Sequence, residues 1–152
     1  MKLAEALQLR ADLTEKINQT ENNLTANVLV QEGEKPNLDP QELQRTLEEQ
    51  IAEKEKIVCQ INITNSLTVT ESGETLTSLI AHRDALQRHI RALSSAMGTA
   101  GTATRRATKS EIKILTAIDV KELQKKIDKL QAEYRRTDNE IQRQNWIVDL
   151  KE

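Results

Sequence analysis

Apolar residues recur along most of this chain at alternating spacings of three and four, the period of a helix with one face hidden from water. Four stretches carry the pattern. In the first, the row Leu3, Ala6, Arg10, Leu13, Ile17, Thr20, Leu24 and Asn27 predicts a helix over about residues 2–31, ended by Gly33 and Pro36. The second row, Leu43, Leu47, Ile51, Lys54, Val58, Ile61 and Asn65, predicts a helix over 40–67. Asp39 is placed to accept from the orphan amides of its first turn, Pro40 suits the first helical position, and Glu42 stands at capping-box distance. The polar, β-branched stretch Thr68 to Gly73 closes it. Leu76, Leu79, Arg83, Leu86, Ile90, Leu93 and Met97 form the third row and predict a helix over 75–97, with Gly98 as its stop. The fourth row, Val120, Leu123, Ile127, Leu130, Tyr134, Thr137 and Ile141, predicts a helix over 119–144, with Asp119 and Glu122 at capping-box spacing.

Residues 98–109 (GTAGTATRRATK) are small, polar and aperiodic, and read as a flexible loop. Two short segments read as extended: 112–118 (IKILTAI) and 146–150 (WIVDL). They leave opposite ends of the fourth helix, so its length favours pairing between two copies over pairing within one chain. The expected fold is mainly all-α: long antiparallel helices in a coiled-coil-like bundle, forming a single helical domain over 1–152.

Composition sharpens this picture. There is no Phe, and Tyr134 and Trp146 are the only aromatics, so leucine, isoleucine and valine must supply the core. Charged residues of mixed sign make up 30% of the chain, a composition of long helices and coiled coils. Such helices are marginal alone, and a thin bundle has little core for its surface, so a homo-oligomer is expected. With 22 basic and 24 acidic residues the net charge is −2, which provides no electrostatic drive toward nucleic acid or an anionic membrane. No apolar run approaches the roughly 20 residues of a membrane span. The opening MKLAEALQLR lacks the apolar core of a signal peptide. The single cysteine, Cys59, cannot form an intrachain disulfide and suits a reducing cytoplasm. Asn18, Asn23 and Asn62 head Asn-x-Thr triplets, read as incidental without a secretion signal.

Polar residues inside the rows are the informative exceptions: Arg10, Asn27, Lys54, Asn65 and Arg83. A charge in a bundle core is costly unless paired. One reading makes these residues devices that set register and oligomer state, with Lys54 reaching out to solvent. The other makes them a ligand site, in which Arg10 and Arg83 face an anion and Asn62 and Asn65 of INITN supply directional hydrogen bonds. Glu32 and Glu34 could instead be the salt-bridge partners of those arginines, which returns the group to structure. Asn27 and Trp146 complete the candidate polar-core or ligand set.

Catalytic and metal chemistry is sparse. His82 and His89 stand seven positions, about 10 Å, apart at the helical rise, too far to share one ion. No nucleophile elbow accompanies His82 and Asp84. The 98–109 loop runs into Lys109-Ser110 but lacks the second glycine of a phosphate-binding loop. Arg105, Arg106 and Lys109 form a small basic patch with no aromatic stacking platform. No catalytic residue, metal or cofactor is expected; a second copy is the expected partner, and the sequence does not name any other protein partner.

Several stretches together resemble the septicolysin-like family of small bacterial helical proteins. They are MKLAEAL at the start, ANVLVQEGE from Ala26 to Glu34, INITN from Ile61 to Asn65, the Arg83-Asp84 pair, SEIK from Ser110 to Lys113, and Asn145-Trp146. The resemblance covers essentially the whole chain in the same motif order. The family name implies a thiol-activated pore-forming toxin. Here Cys59 falls in a helical stretch and Trp146 in NWIVDL, unlike the Cys- and Trp-rich membrane loop of such toxins. The leading expectation is therefore a self-associating, non-enzymatic scaffold or interaction protein. A ligand or enzymatic site lined by the seam arginines and asparagines is the alternative, and cytolysis is a third reading.

Overall fold

The structure, a computed structural model, describes residues 1–103 and 113–151. Among them run four helices: α1 (Leu3–Asn27), α2 (Pro40–Leu67), α3 (Leu76–Ala100) and α4 (Val120–Ile147). The all-α expectation holds. Pairing in the β sense is confined, among the described residues, to the isolated bridges Lys2↔Asp149 and Val69↔Thr75. The chain divides into two compact units. One comprises Met1–Thr75 with Gln144–Glu152, the other Leu76–Arg143.

In the first unit α1 packs against α2. The α1 row is as the spacing predicts: Leu3, Ala6, Leu13, Ile17 and Thr20 are buried, while Arg10 emerges to solvent. The helix starts with the Glu5 carboxylate accepting from the Lys2 backbone N–H at 2.7 Å. It ends at Asn27, four residues before the expected 31. The reason is local: Asn27 Oδ1 accepts from Leu38 N–H at 3.0 Å, tying the returning chain to the end of α1. Gly33, with φ +84°, then makes the turn that a side-chain-bearing residue adopts only at a cost. Asp39 caps α2 as expected, accepting from Gln41 N–H at 2.9 Å, with Pro40 in the first turn.

On α2 the buried face differs from the expected row. Ile57, Ile61 and Thr64 are buried, and Leu43, Leu47, Gln50 and Lys54 are half-buried before them. Ile51, expected in the core, is 47% exposed, and Val58 is only half-buried. The helix carries two apolar rows one position apart. Packing on α1 uses the row through Gln50 and Ile57, which leaves the row through Ile51 to the outside.

In the second unit α3 buries Leu76, Leu79 and Leu86, and α4 buries Ile127, Thr137 and Ile141, all on their predicted rows. Gly98 does not stop α3, which continues to Ala100. A glycine stop needs the left-handed conformation, and the glycines with positive φ are Gly33 and Gly73. The chain turns at Gly101, whose N–H bonds Met97 O at 3.1 Å. Of the expected 98–109 loop, 98–100 are therefore helical, and 104–109 lie outside the described residues, with Arg105, Arg106 and Lys109 among them. Ile112 also lies outside, and 113–118 form neither helix nor β-bridge. Asp119 caps α4, accepting from Lys121 N–H and Glu122 N–H. The helix runs through Trp146 to Ile147, so the second non-helical segment begins at Val148 rather than at 146.

Candidate functional site

Three parts of the chain meet at one end of the α1–α2 pair: the start of α1, the end of α2, and the tail after α4. Leu3 N–H donates to Val148 O at 3.0 Å, and Leu150 N–H donates to Met1 O at 2.9 Å. Lys2 Nζ reaches both Ile147 O at 3.0 Å and Asp149 Oδ1 at 2.9 Å. Lys151 N–H donates to Thr64 Oγ1 at 2.9 Å, while that hydroxyl donates to Gln60 O at 2.7 Å. The Lys2 ammonium, through its hydrogen bond and its charge, holds the Asp149 carboxyl below its ordinary value. The tail was expected to pair with 112–118 of another copy. It is paired instead with the N-terminus of its own chain, because the last turn of α4 delivers it there. Thr64, Thr68, Thr70, Gln144 and Asn145 are all buried in this unit.

The opposite end is apolar and open. Val28, Leu29 and Val30 follow α1 directly, and Leu29 is 87% exposed. Leu38 beside them is exposed too. Along the outer side of α2 runs a shallow groove of about 520 Å³ lined by Ile51, Lys54, Glu55, Val58, Cys59 and Ile63, with Asn62 also on its wall. An adjoining hollow that shares Glu55, Cys59 and Ile63 is lined also by Ala52, Lys56 and Gln60. Cys59 is a free, exposed thiol. Further along α2, Leu67 is 58% exposed.

The residues of the proposed ligand set fall in both units. Arg10, Glu32 and Glu34 are exposed in the first unit, Asn62 is exposed on the outer side of α2, and Asn65 is half-buried near its end. Asn27 is a structural tether, donating to Asn23 O as well as accepting from Leu38. Trp146 is 67% exposed. Arg83 belongs to the second unit, where its acids are Asp84 at 2.9 Å and Asp138 at 3.5 Å, not Glu32 or Glu34. Desolvation works against its charge, but the hydrogen bonds and charges of Asp84 and then Asp138 prevail and raise the guanidinium above its ordinary value. Beside it, His82 Nε2 meets Glu133 Oε1 at 2.9 Å. Arg83 is thus a joint between α3 and α4. Sequence reasoning missed Asp138, Lys2, Asp149 and Thr64, whose partners lie 55 to 147 positions away with no local signal.

Among the described residues no group of three or more His, Cys, Asp or Glu is arranged to hold a metal ion, and no helix is long and apolar enough to cross a membrane. The profile of DUF6847, a family of unknown function, matches residues 10–150. The chain belongs to this family. A crystal structure of a functionally unknown conserved protein from Corynebacterium diphtheriae is 35% identical, covers 99% of each chain and superposes with a TM-score of 0.93. No curated protein matches the chain. The family's function is uncharacterised, and the relatives assign no chemistry to any residue here.

Proposed function

We propose that this DUF6847 member is a self-associating helical protein that works as a scaffold through its helix faces, without catalysing a reaction. The observation that carries this reading is the exposed aliphatic area that α2 keeps besides its packed face. Ile51, Ile63 and Leu67 all remain exposed on it, leaving apolar surface for a partner to cover. The alternating three-and-four spacing of the buried residues on α1 and α2 supports a coiled-coil-like hairpin as the assembling unit. The exposed free thiol of Cys59 supports a reducing compartment such as the cytoplasm.

Sedimentation velocity over a concentration series tests the reading. Species heavier than the 17.2 kDa chain are expected to grow with concentration, and a single 17.2 kDa species throughout would sink it. The septicolysin-like resemblance is read within the same frame. MKLAEAL, INITN and Asn145-Trp146 all belong to the unit formed by α1, α2 and the tail, which favours a shared hairpin over a shared lytic activity. Leakage of dye from liposomes on adding the pure protein would reverse that preference.

A further inference from the structure

The geometry points to a head-to-tail contact in which the Val28–Val30 tip of one copy fills the α2 groove of the next, with Glu32 and Glu34 on Lys54 and Lys56. This rests on the self-association reading and names its two surfaces. The tip offers three consecutive aliphatic side chains to solvent. The groove offers an aliphatic floor of Ile51, Val58 and Ile63. Lys54 lines this groove, and Lys56 lines the adjoining hollow that shares Glu55, Cys59 and Ile63 with it. Two residues past the tip, Glu32 and Glu34 bracket Gly33, whose positive φ places the chain in a tight turn. None of these four charges has an ion-pair partner among the described residues, whereas Lys2, Arg83 and Lys125 do. Two unpaired cations beside an apolar groove and two unpaired anions beside an apolar tip are complementary in both respects.

A chain cannot satisfy this with its own surfaces. The Asn27–Leu38 bond holds the tip at the start of α2, and the groove floor lies roughly 16 to 35 Å further along that helix at its rise per residue. Because tip and groove are different surfaces, the contact is heterologous and extends into a ring or an open chain of copies. Glu55 lies in the groove between the two lysines and opposes the incoming carboxylates.

Mixing two full-length variants tests the contact. Leu29→Asp ruins the tip and keeps the groove; Ile63→Asp ruins the groove and keeps the tip. Each alone is expected to sediment as a single chain, with association weakened at least about tenfold. An equimolar mixture is expected to form pairs and nothing larger, since only one tip–groove contact can be made. Helix content by circular dichroism should be unchanged, both sites being exposed. A second arm needs no apolar change: Lys54→Glu with Lys56→Glu weakens assembly, mixing with a Glu32→Lys, Glu34→Lys chain restores it, and Glu55→Gln strengthens it. If the wild type assembles but the single variants assemble equally well, or the mixtures stay monomeric, this contact is wrong and self-association stands. A wild type that is monomeric throughout overturns both.

Discussion

At one end of the α1–α2 hairpin the buried residues are largely polar, and at the other the apolar residues are exposed. Thr64, Thr68, Thr70, Gln144 and Asn145 are inside, while Val28, Leu29, Val30 and Leu38 are outside. The polar end can be buried because the tail supplies backbone partners to Leu3, Met1 and Thr64. Nothing comparable covers the tip among the described residues. The contrast teaches that this hairpin is closed by its own chain where hydrogen bonds must be satisfied, and left open where only hydrophobic area is at stake. An unpaired buried amide is expensive, whereas exposed aliphatic surface is tolerable until a partner arrives.

Breaking the closed end at its apolar anchor should have the largest effect. Leu3 is fully buried, so Leu3→Ala is expected to cost about 2–5 kcal/mol, read from the urea midpoint. Thr64→Val should cost about 1–3 kcal/mol, because Lys151 N–H loses its acceptor. Faster hydrogen exchange at Lys151 would locate that loss. Thr68→Val, one turn on, should do the opposite. The buried Thr68 hydroxyl has no partner among the described residues, so an isosteric methyl removes a cost and the midpoint should rise. At the open end, Leu29→Ser should leave stability within about 0.5 kcal/mol while lowering the sedimenting mass. A large loss of stability there would mean that the tip is not an open surface.

Acid should loosen the tail by the smallest amount. The Asp149 carboxyl is lowered when folded, so its contribution is present above the unfolded carboxylate value of about 4 and fades as pH falls through its lower folded value. Exchange at Leu150 N–H, which bonds Met1 O, should quicken over that range, and Asp149→Asn should remove the dependence. No change in either would show that Lys2 holds the tail through Ile147 O alone.

Sequence periodicity was sufficient for α1, α3 and α4 because each carries one dominant apolar row. It was insufficient on α2, where Gln50–Ile57–Thr64 and Ile51–Val58 compete and the more hydrophobic row is not the one packed on α1. The two seam arginines differ for a related reason. Arg10, placed on the seam by spacing, leaves the core at a position where its long side chain can reach water. Arg83 stays half-buried because Asp138, on another helix, pairs with it.

Local patterns determined what local physics controls: the four described helices, the Asp39 and Asp119 caps, the Gly33 turn and, among the described residues, the absence of a helix able to cross a membrane. Tertiary structure decided which of two rows on α2 is hidden, which acid neutralises Arg83, and that the tail binds its own N-terminus. Those outcomes depend on contacts between residues far apart in the chain. A repeat of three and four says that a face will be buried, but the surface it meets is set by the other elements packed beside it.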